Sequence, residues 1–333
     1  MTDAPLLAVE SVTVEYALSG GRKLMAVAGV SFTVRRGETL GLVGESGCGK
    51  STVGRAIMQL PGQAGGRLVF DGRVLADLSG QELRRVRARL HMIFQDPISS
   101  LNPRRRVRDI VAEPMAIAGV GSPEERERRV RLALEAVSLD PDRVMGRRPH
   151  EFSGGQCQRI AIARALIMEP HLVVCDEPVS SLDVSVRAQI LNLLEDMKAR
   201  YGLTLLFISH DLAVVKNISD RVAVMYLGRL CELASSARLY QAPLHPYTAA
   251  LMAAIPVMDP DHVPDRSRLL AGDLPSPMDP PSGCRFRTRC PRAETRCAEL
   301  EPTWREAEPG HFVACHFPLA SVNAPEAAPI NRS

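Results

Sequence analysis

The chain has 333 residues, 45% hydrophobic but only 4% aromatic, with 41 basic and 38 acidic side chains for a net charge of +3. That length allows two domains, or one large domain with an appendage, and the near balance of charge argues against a nucleic-acid binder. No stretch approaches the ~18 apolar residues of a membrane span, and residues 1–5 carry no basic n-region, so a cytoplasmic protein without a secretory signal is expected.

In chain order, residues 6–34 alternate apolar and polar positions, as in Val30-Ser31-Phe32-Thr33-Val34, and read as antiparallel strands. The apolar strand Thr39–Val43 leads into Gly44-Glu45-Ser46-Gly47-Cys48-Gly49-Lys50-Ser51, and Thr52 to Leu60 suits a helix. Strand, glycine-rich turn and helix in that order form a phosphate-binding loop. Its glycines let successive N–H groups turn onto phosphates. Lys50 adds charge at the β/γ position, the Ser51 hydroxyl can ligate Mg²⁺, and the helix N-terminus favours the anion. A nucleoside triphosphate is therefore the expected ligand. The arginines at 84, 85, 87, 89 and 104–106 read as solvated faces.

Residues 91–94 form a further short strand, and a helical pattern runs from about Val107 to Val137, with Ser122 and Pro123 marking a start. A strong helix follows Gln156 and is expected to end at Pro170. Leu172–Cys175 is an apolar strand, Val186 to Met197 mark one helical face, and 204–208 and 222–225 are buried strands. This alternation implies a mainly parallel sheet covered on both faces. Beyond Ala242 prolines thicken and periodicity fades, which puts a boundary near residue 255 and a disordered tail from Ser321.

Two further elements bear on chemistry. The strand at 172–175 delivers Asp176, placed to hold Mg²⁺, and Glu177, placed to polarise a water. Ser153-Gly154-Gly155-Gln156 opens a helix and offers a hydroxyl and N–H groups as a second anion site. Two phosphate-binding elements in one chain suggest that each serves a nucleotide held by a partner subunit.

The phosphate loop, Gln95, Phe152-Ser153-Gly154-Gly155-Gln156, Asp176-Glu177, Ser180-Ser181-Leu182-Asp183 and Ile208-Ser209-His210-Asp211 resemble, in order, the motifs of the ATP-binding cassette family over residues 6–255. The resemblance implies an α/β P-loop NTPase with an inserted helical subdomain (about 96–165). Tyr16 would stack on adenine, Gln95 would contact Mg²⁺ and the lytic water, His210 would bond the γ-phosphate and orient Glu177, and Asp183 would lie at the dimer interface. Phe152 departs from the more usual Leu; both are apolar, so the packing is expected to survive. Phe94-Gln95-Asp96-Pro97, Gln156-Cys157-Gln158-Arg159 and His245-Pro246-Tyr247-Thr248 look like the peptide importer ATPases. That likeness implies ATP hydrolysis driving di- and oligopeptide import, a second and different ATPase subunit, two permeases and an external solute-binding protein. The chain would sit on the cytoplasmic face of the membrane through the permeases. Nickel importers use similar ATPases.

Eight cysteines in a cytoplasmic chain suggest thiols or metal ligands rather than disulfides. Cys48, Cys157, Cys175 and Cys231 are scattered; Cys284, Cys290, Cys297 and Cys315 crowd a small C-terminal segment (256–333), with five, six and seventeen residues between successive cysteines. Four thiolates can hold an iron–sulfur cluster or tetrahedral zinc. The spacing matches neither a zinc ribbon nor a ferredoxin, and likeness to the peptide importer tail favours a [4Fe–4S] cluster over Zn²⁺, free thiols or disulfides, with His311 and His316 as substitute ligands. Two other readings are a non-transport cassette acting on DNA or ribosomes and a dead nucleotide site. The first lacks the coiled coil or second cassette it would need, and Lys50, Glu177 and His210 oppose the second.

Overall fold

The computed structural model of the chain describes residues 4–18, 21–60, 63–255 and 272–319. The expected boundary stretch after residue 255 and the expected tail from Ser321 lie outside the described residues. Four strands, β1 (Leu7–Ala17), β2 (Lys23–Val34), β4 (Gln63–Phe70) and β5 (Arg73–Val74), make an antiparallel sheet in the order β2-β1-β4-β5. Between them in sequence lie β3 (Thr39–Val43) and α1 (Lys50–Ile57). Next come α2 (Gly80–Arg87) and β6 (Leu90–Ile93), and then four helices: α3 (Val107–Ala118), α4 (Pro123–Ala136), α5 (Pro141–Val144) and α6 (Gly154–Leu166). The chain continues through β7 (Leu172–Asp176), α7 (Val184–Tyr201), β8 (Thr204–Ser209), α8 (Leu212–Ile218), β9 (Arg221–Tyr226), β10 (Arg229–Ser235), α9 (Ser236–Gln241) and α10 (Pro246–Ala253). It closes with α11 (Thr295–Glu299), β11 (Arg305–Glu308) and β12 (His311–Val313).

The second sheet has eight strands, β11-β12-β10-β9-β3-β8-β7-β6. The run from β9 to β6 is parallel. Every residue of β3, β7 and β8 is buried, as strands covered on both faces require. Neighbouring residues serve opposite cores. Leu206 and Ile208 join Phe32, Ile57 and Leu68 under the antiparallel sheet, while Leu205 and Phe207 join Val111, Ile160 and Leu193 under the helices.

The helical pattern expected over 107–137 is two helices. Gly119 takes a left-handed φ of 70° and ends α3; Ser122 then accepts the Glu125 N–H and caps α4 with Pro123 in its first turn. The helix expected to reach Pro170 stops at Leu166, because Glu169 turns left-handed just before the proline. At the C-terminus, where no strand was expected, β12 pairs with β10 through Glu232–Val313 and Leu233–Phe312. The buried Glu232 carboxylate accepts the N–H groups of Leu244 and His245 and meets His311 Nε2 at 2.7 Å.

His245 caps α10, its Nδ1 accepting the Tyr247 N–H at 3.0 Å. Burial lowers its pKa from 6.5 to about 4 against the opposing charge of Glu232. Burial likewise lowers His91 to about 4. Unfolded imidazoles take up protons near pH 6.5 and these folded ones only near 4, so native stability is full above pH 6.5 and declines as pH falls toward 4. Thermal melting between pH 7.5 and 4.5 should show this decline, and His91→Gln should flatten it; a pH-independent melting point would exclude it.

Candidate active site

The loop between β3 and α1 is shaped by close backbone approach. A Cβ on Gly44 would lie 2.1 Å from the Met225 carbonyl oxygen, and one on Gly49 would lie 2.4 Å from that of Ala26. Both glycines have positive φ, 151° and 105°, so no other residue fits. Ser46 and Gly47 are exposed at the tip, while Cys48 is buried and its thiol is pushed up by burial. Lys50 is only 4% exposed. Its Nζ donates to the carbonyls of Gly44 (2.7 Å) and Glu45 (2.9 Å), crossing the loop it follows. Ser51 Oγ donates to Asp176 Oδ1 at 2.7 Å, and Thr52 continues α1. Asp176 is 2% exposed; burial raises its carboxyl pKa, and the Ser51 hydrogen bond opposes that shift.

Sheet order assembles the next group. β6, β7 and β8 are adjacent and parallel, so Gln95, Glu177 and His210 leave the same sheet edge together. Glu177 Oε2 accepts from Gln95 Nε2 at 3.2 Å and lies 3.1 Å from His210 Nδ1. Glu177 has a left-handed φ of 47°, and its N–H is fixed by the Ile208 carbonyl at 2.9 Å. Such backbone strain in a non-glycine residue concentrates at functional sites.

Ser153 caps α6 in a reciprocal box: its Oγ accepts the Gln156 N–H, and Gln156 Oε1 accepts the Ser153 N–H. Gly154 and Gly155 follow. A Cβ on Gly155 would come within 2.6 Å of Val186 on α7. Phe152 packs on the core beneath the Arg147 guanidinium, 4.5 Å from its ring centre. Asp183 precedes α7, is exposed, and caps it without a side-chain hydrogen bond. Tyr16 lies half-buried on β1 opposite Leu24. Among the described residues no hydrogen bond or ion pair joins Ser153–Gln156, Asp183 or Tyr16 to the phosphate loop of the same chain.

Sequence reasoning missed Tyr247 and Arg289 as neighbours of that loop. Tyr247 Oη accepts the Glu45 N–H at 3.0 Å, and Arg289 grips the Glu45 carboxylate. They lie 202 and 244 residues from Glu45, and no local pattern signals such contacts.

The C-terminal metal expectation is corrected. Among the described residues no group of three or more His, Cys, Asp and Glu side chains could hold a metal ion. Cys284, Cys290, Cys297 and Cys315 thus form neither an iron–sulfur nor a zinc ligand set, although they share one small recess. All eight cysteines are free. Burial raises the thiols of Cys284, Cys290 and Cys315, the last to about 11, whereas metals take thiolates. His311 is engaged by Glu232, and His316 Nε2 by the Leu300 carbonyl.

Comparison with known proteins accords with this geometry. Residues 27–180 match the ABC transporter family and residues 231–297 the oligopeptide/dipeptide transporter C-terminal region. The chain is 54% identical to a Brucella ovis protein named as a candidate peptide import ATP-binding protein, over 95% of this chain and 98% of that one. It is 52% identical to the oligopeptide transport ATP-binding protein AppF of Bacillus subtilis, over 88% of this chain and 89% of that one. A solved dimeric ATP-binding cassette in a post-hydrolysis state with ADP and Pi superposes with a TM-score of 0.63 at 29% identity, covering 69% of this chain and 98% of that one. With its phosphate loop, its carboxylates at the C-terminal end of β7 and these likenesses, the chain belongs to the ABC transporter family, among the ATP-binding subunits of oligopeptide and dipeptide transporters.

Proposed function

We propose that this chain is the ATPase subunit that powers import of di- and oligopeptides. The observation that carries the reading is the convergence of Gln95 and His210 on Glu177, beside the Ser51–Asp176 pair. ATP is the substrate. The loop of residues 44–52, through its N–H groups other than the Glu45 N–H held by Tyr247, and the Lys50 ammonium would cradle its phosphates, and Tyr16 would stack on the base. Ser51, Asp176 and Gln95 supply hard oxygen donors suited to Mg²⁺, which when bound would neutralise phosphate charge. Glu177 would accept a proton of the attacking water and hold it in line. His210 and Gln95 would fix the carboxylate, and His210 would also reach the γ-phosphate. The protein's work is positioning and charge stabilisation.

Ser153–Gln156 and Asp183 would complete the site of a second cassette, a different chain in this system, with two ATP molecules held across the seam. Two observations support this reading: the Ser153 cap leaves further N–H groups at the start of α6, and a solved dimeric ATP-binding cassette superposes on this chain. We assign residues 1–255 to the cassette, with a helical subdomain at about 96–165, and 256–333 to the C-terminal region. Among the described residues no helix is long and apolar enough to cross a membrane. By its likeness to oligopeptide transport ATP-binding proteins, the chain would work at the cytoplasmic face, beneath two permeases fed by an external solute-binding protein.

A groove of about 620 Å³ lined by Leu83, Met92, Phe94, Pro114 and Ile117 opens next to Gln95. We assign it to an apolar permease segment, because Phe94 links it directly to the catalytic edge and Ile117 stands 72% exposed over it. In proteoliposomes holding both cassettes, the permeases and the binding protein, Ile117→Asp should leave hydrolysis by the isolated subunit intact and abolish ATP-dependent uptake of a labelled tripeptide. Normal uptake would exclude the groove. Uptake of nickel but no peptide by the wild type would overturn the cargo.

A further inference from the structure

Glu45 is gripped at every polar atom it has. Its carbonyl accepts from Lys50, its N–H is taken by Tyr247, and its carboxylate is held by both arms of Arg289, at 2.6 and 3.1 Å. Arg289 belongs to the C-terminal segment, and its side chain is only 6% exposed. A second path reaches the far end of the loop. Arg285 donates to the Leu227 carbonyl, and the next residue, Gly228, donates its N–H to the Cys48 carbonyl at 2.8 Å. An aromatic cluster lies beneath both arginines. Phe286 is 2% exposed and packs edge-on or tilted against Tyr226, Tyr247 and His245, with ring centres 5.2–5.7 Å apart.

We propose that Arg289 is a positioning residue for ATP: through Glu45 it lets the C-terminal segment hold the phosphate loop in its phosphate-binding form. The inference rests on the ATP-site reading above. A planar guanidinium facing a carboxylate with two parallel bonds fixes orientation as well as distance. With the Glu45 N–H committed to Tyr247, the loop's remaining N–H groups are left for phosphate. The grip acts on a cradle that ground state and transition state both use, so its loss removes uniform binding: KM rises while kcat holds. The coupling is also reciprocal, since whatever tightens the loop must tighten the segment.

The test uses the full chain and Mg-ATP. Arg289→Met should raise the KM for ATP about tenfold with kcat nearly unchanged. Arg289→Lys keeps the charge without the fork and should recover only part of the loss. Glu45→Gln should match Arg289→Met, and the double variant should be no worse than either, because all three break one contact. Removing Arg289 leaves a carboxylate with access to water, so this variant is the one expected to keep its melting temperature. Hydrogen exchange adds a readout that a merely structural role would not move. A non-hydrolysable ATP analogue should slow amide exchange at residues 284–290 in the wild type and not in Arg289→Met. Unchanged KM in a folded Arg289→Met, or multiplying effects in the double variant, would overturn the proposal. If Lys50→Ala bound nucleotide as tightly as the wild type, the ATP-site reading itself would fall, independently of Arg289.

Discussion

Glu177→Gln should cut ATP turnover by about 10²–10⁴-fold, the range for loss of a positioned general base, and should leave nucleotide binding in place. The Glu177 carboxylate is held by two neighbours, Gln95 and His210. An amide matches it in size and keeps the backbone bond to Ile208, so the fold and the strained φ are expected to persist. What disappears is the negative charge that accepts a proton from water. With hydrolysis blocked and binding intact, ATP-bound cassette pairs should accumulate on mixing with magnesium and ATP. Sedimentation and steady-state phosphate release measure the two halves of this expectation. Wild-type turnover in the variant would remove Glu177 from the chemistry.

Lys50→Ala should fail earlier, at binding. Its ammonium is buried and spans the carbonyls of Gly44 and Glu45, so the loss strips the loop of both its one cation and an internal tie. Truncating a buried, hydrogen-bonded charge that faces an anion costs about 2–5 kcal/mol, which is at least ~30-fold in affinity. Titration with a fluorescent ATP analogue reads it directly. Unaltered affinity would show that the loop does not hold triphosphate. The contrast with Glu177→Gln separates cradle from chemistry: one variant binds without turning over, the other does neither.

The nucleotide-binding elements and the C-terminal cysteines differ in how far the sequence makes each legible. The phosphate loop was legible because everything it needs is consecutive: a buried strand, glycines where Cβ atoms would strike Met225 and Ala26, and a helix start. The Ser153–Gln156 cap was legible for the same reason, its partners being three residues apart. The C-terminal cysteines misled. Counting residues between thiols says nothing about where the thiols point, and the folded segment gathers no metal ligand set. The strands β11 and β12 were missed because they are four and three residues long and carry little alternation.

The amino-acid order by itself determined the ligand class, the parallel α/β architecture and the Asp176–Glu177 pair, since these depend on hydrogen bonds and apolar periodicity within a few residues, while Gln95 and His210 were legible only through the resemblance to the ATP-binding cassette family. Only the tertiary structure decided that β6, β7 and β8 lie side by side, which is what brings Gln95 and His210 onto Glu177. It alone decided that the C-terminal segment folds back to extend the main sheet and clamp Glu45 with Tyr247 and Arg289. Contacts across 202 and 244 residues are fixed by sheet order and core packing, and those are properties of the whole chain at once.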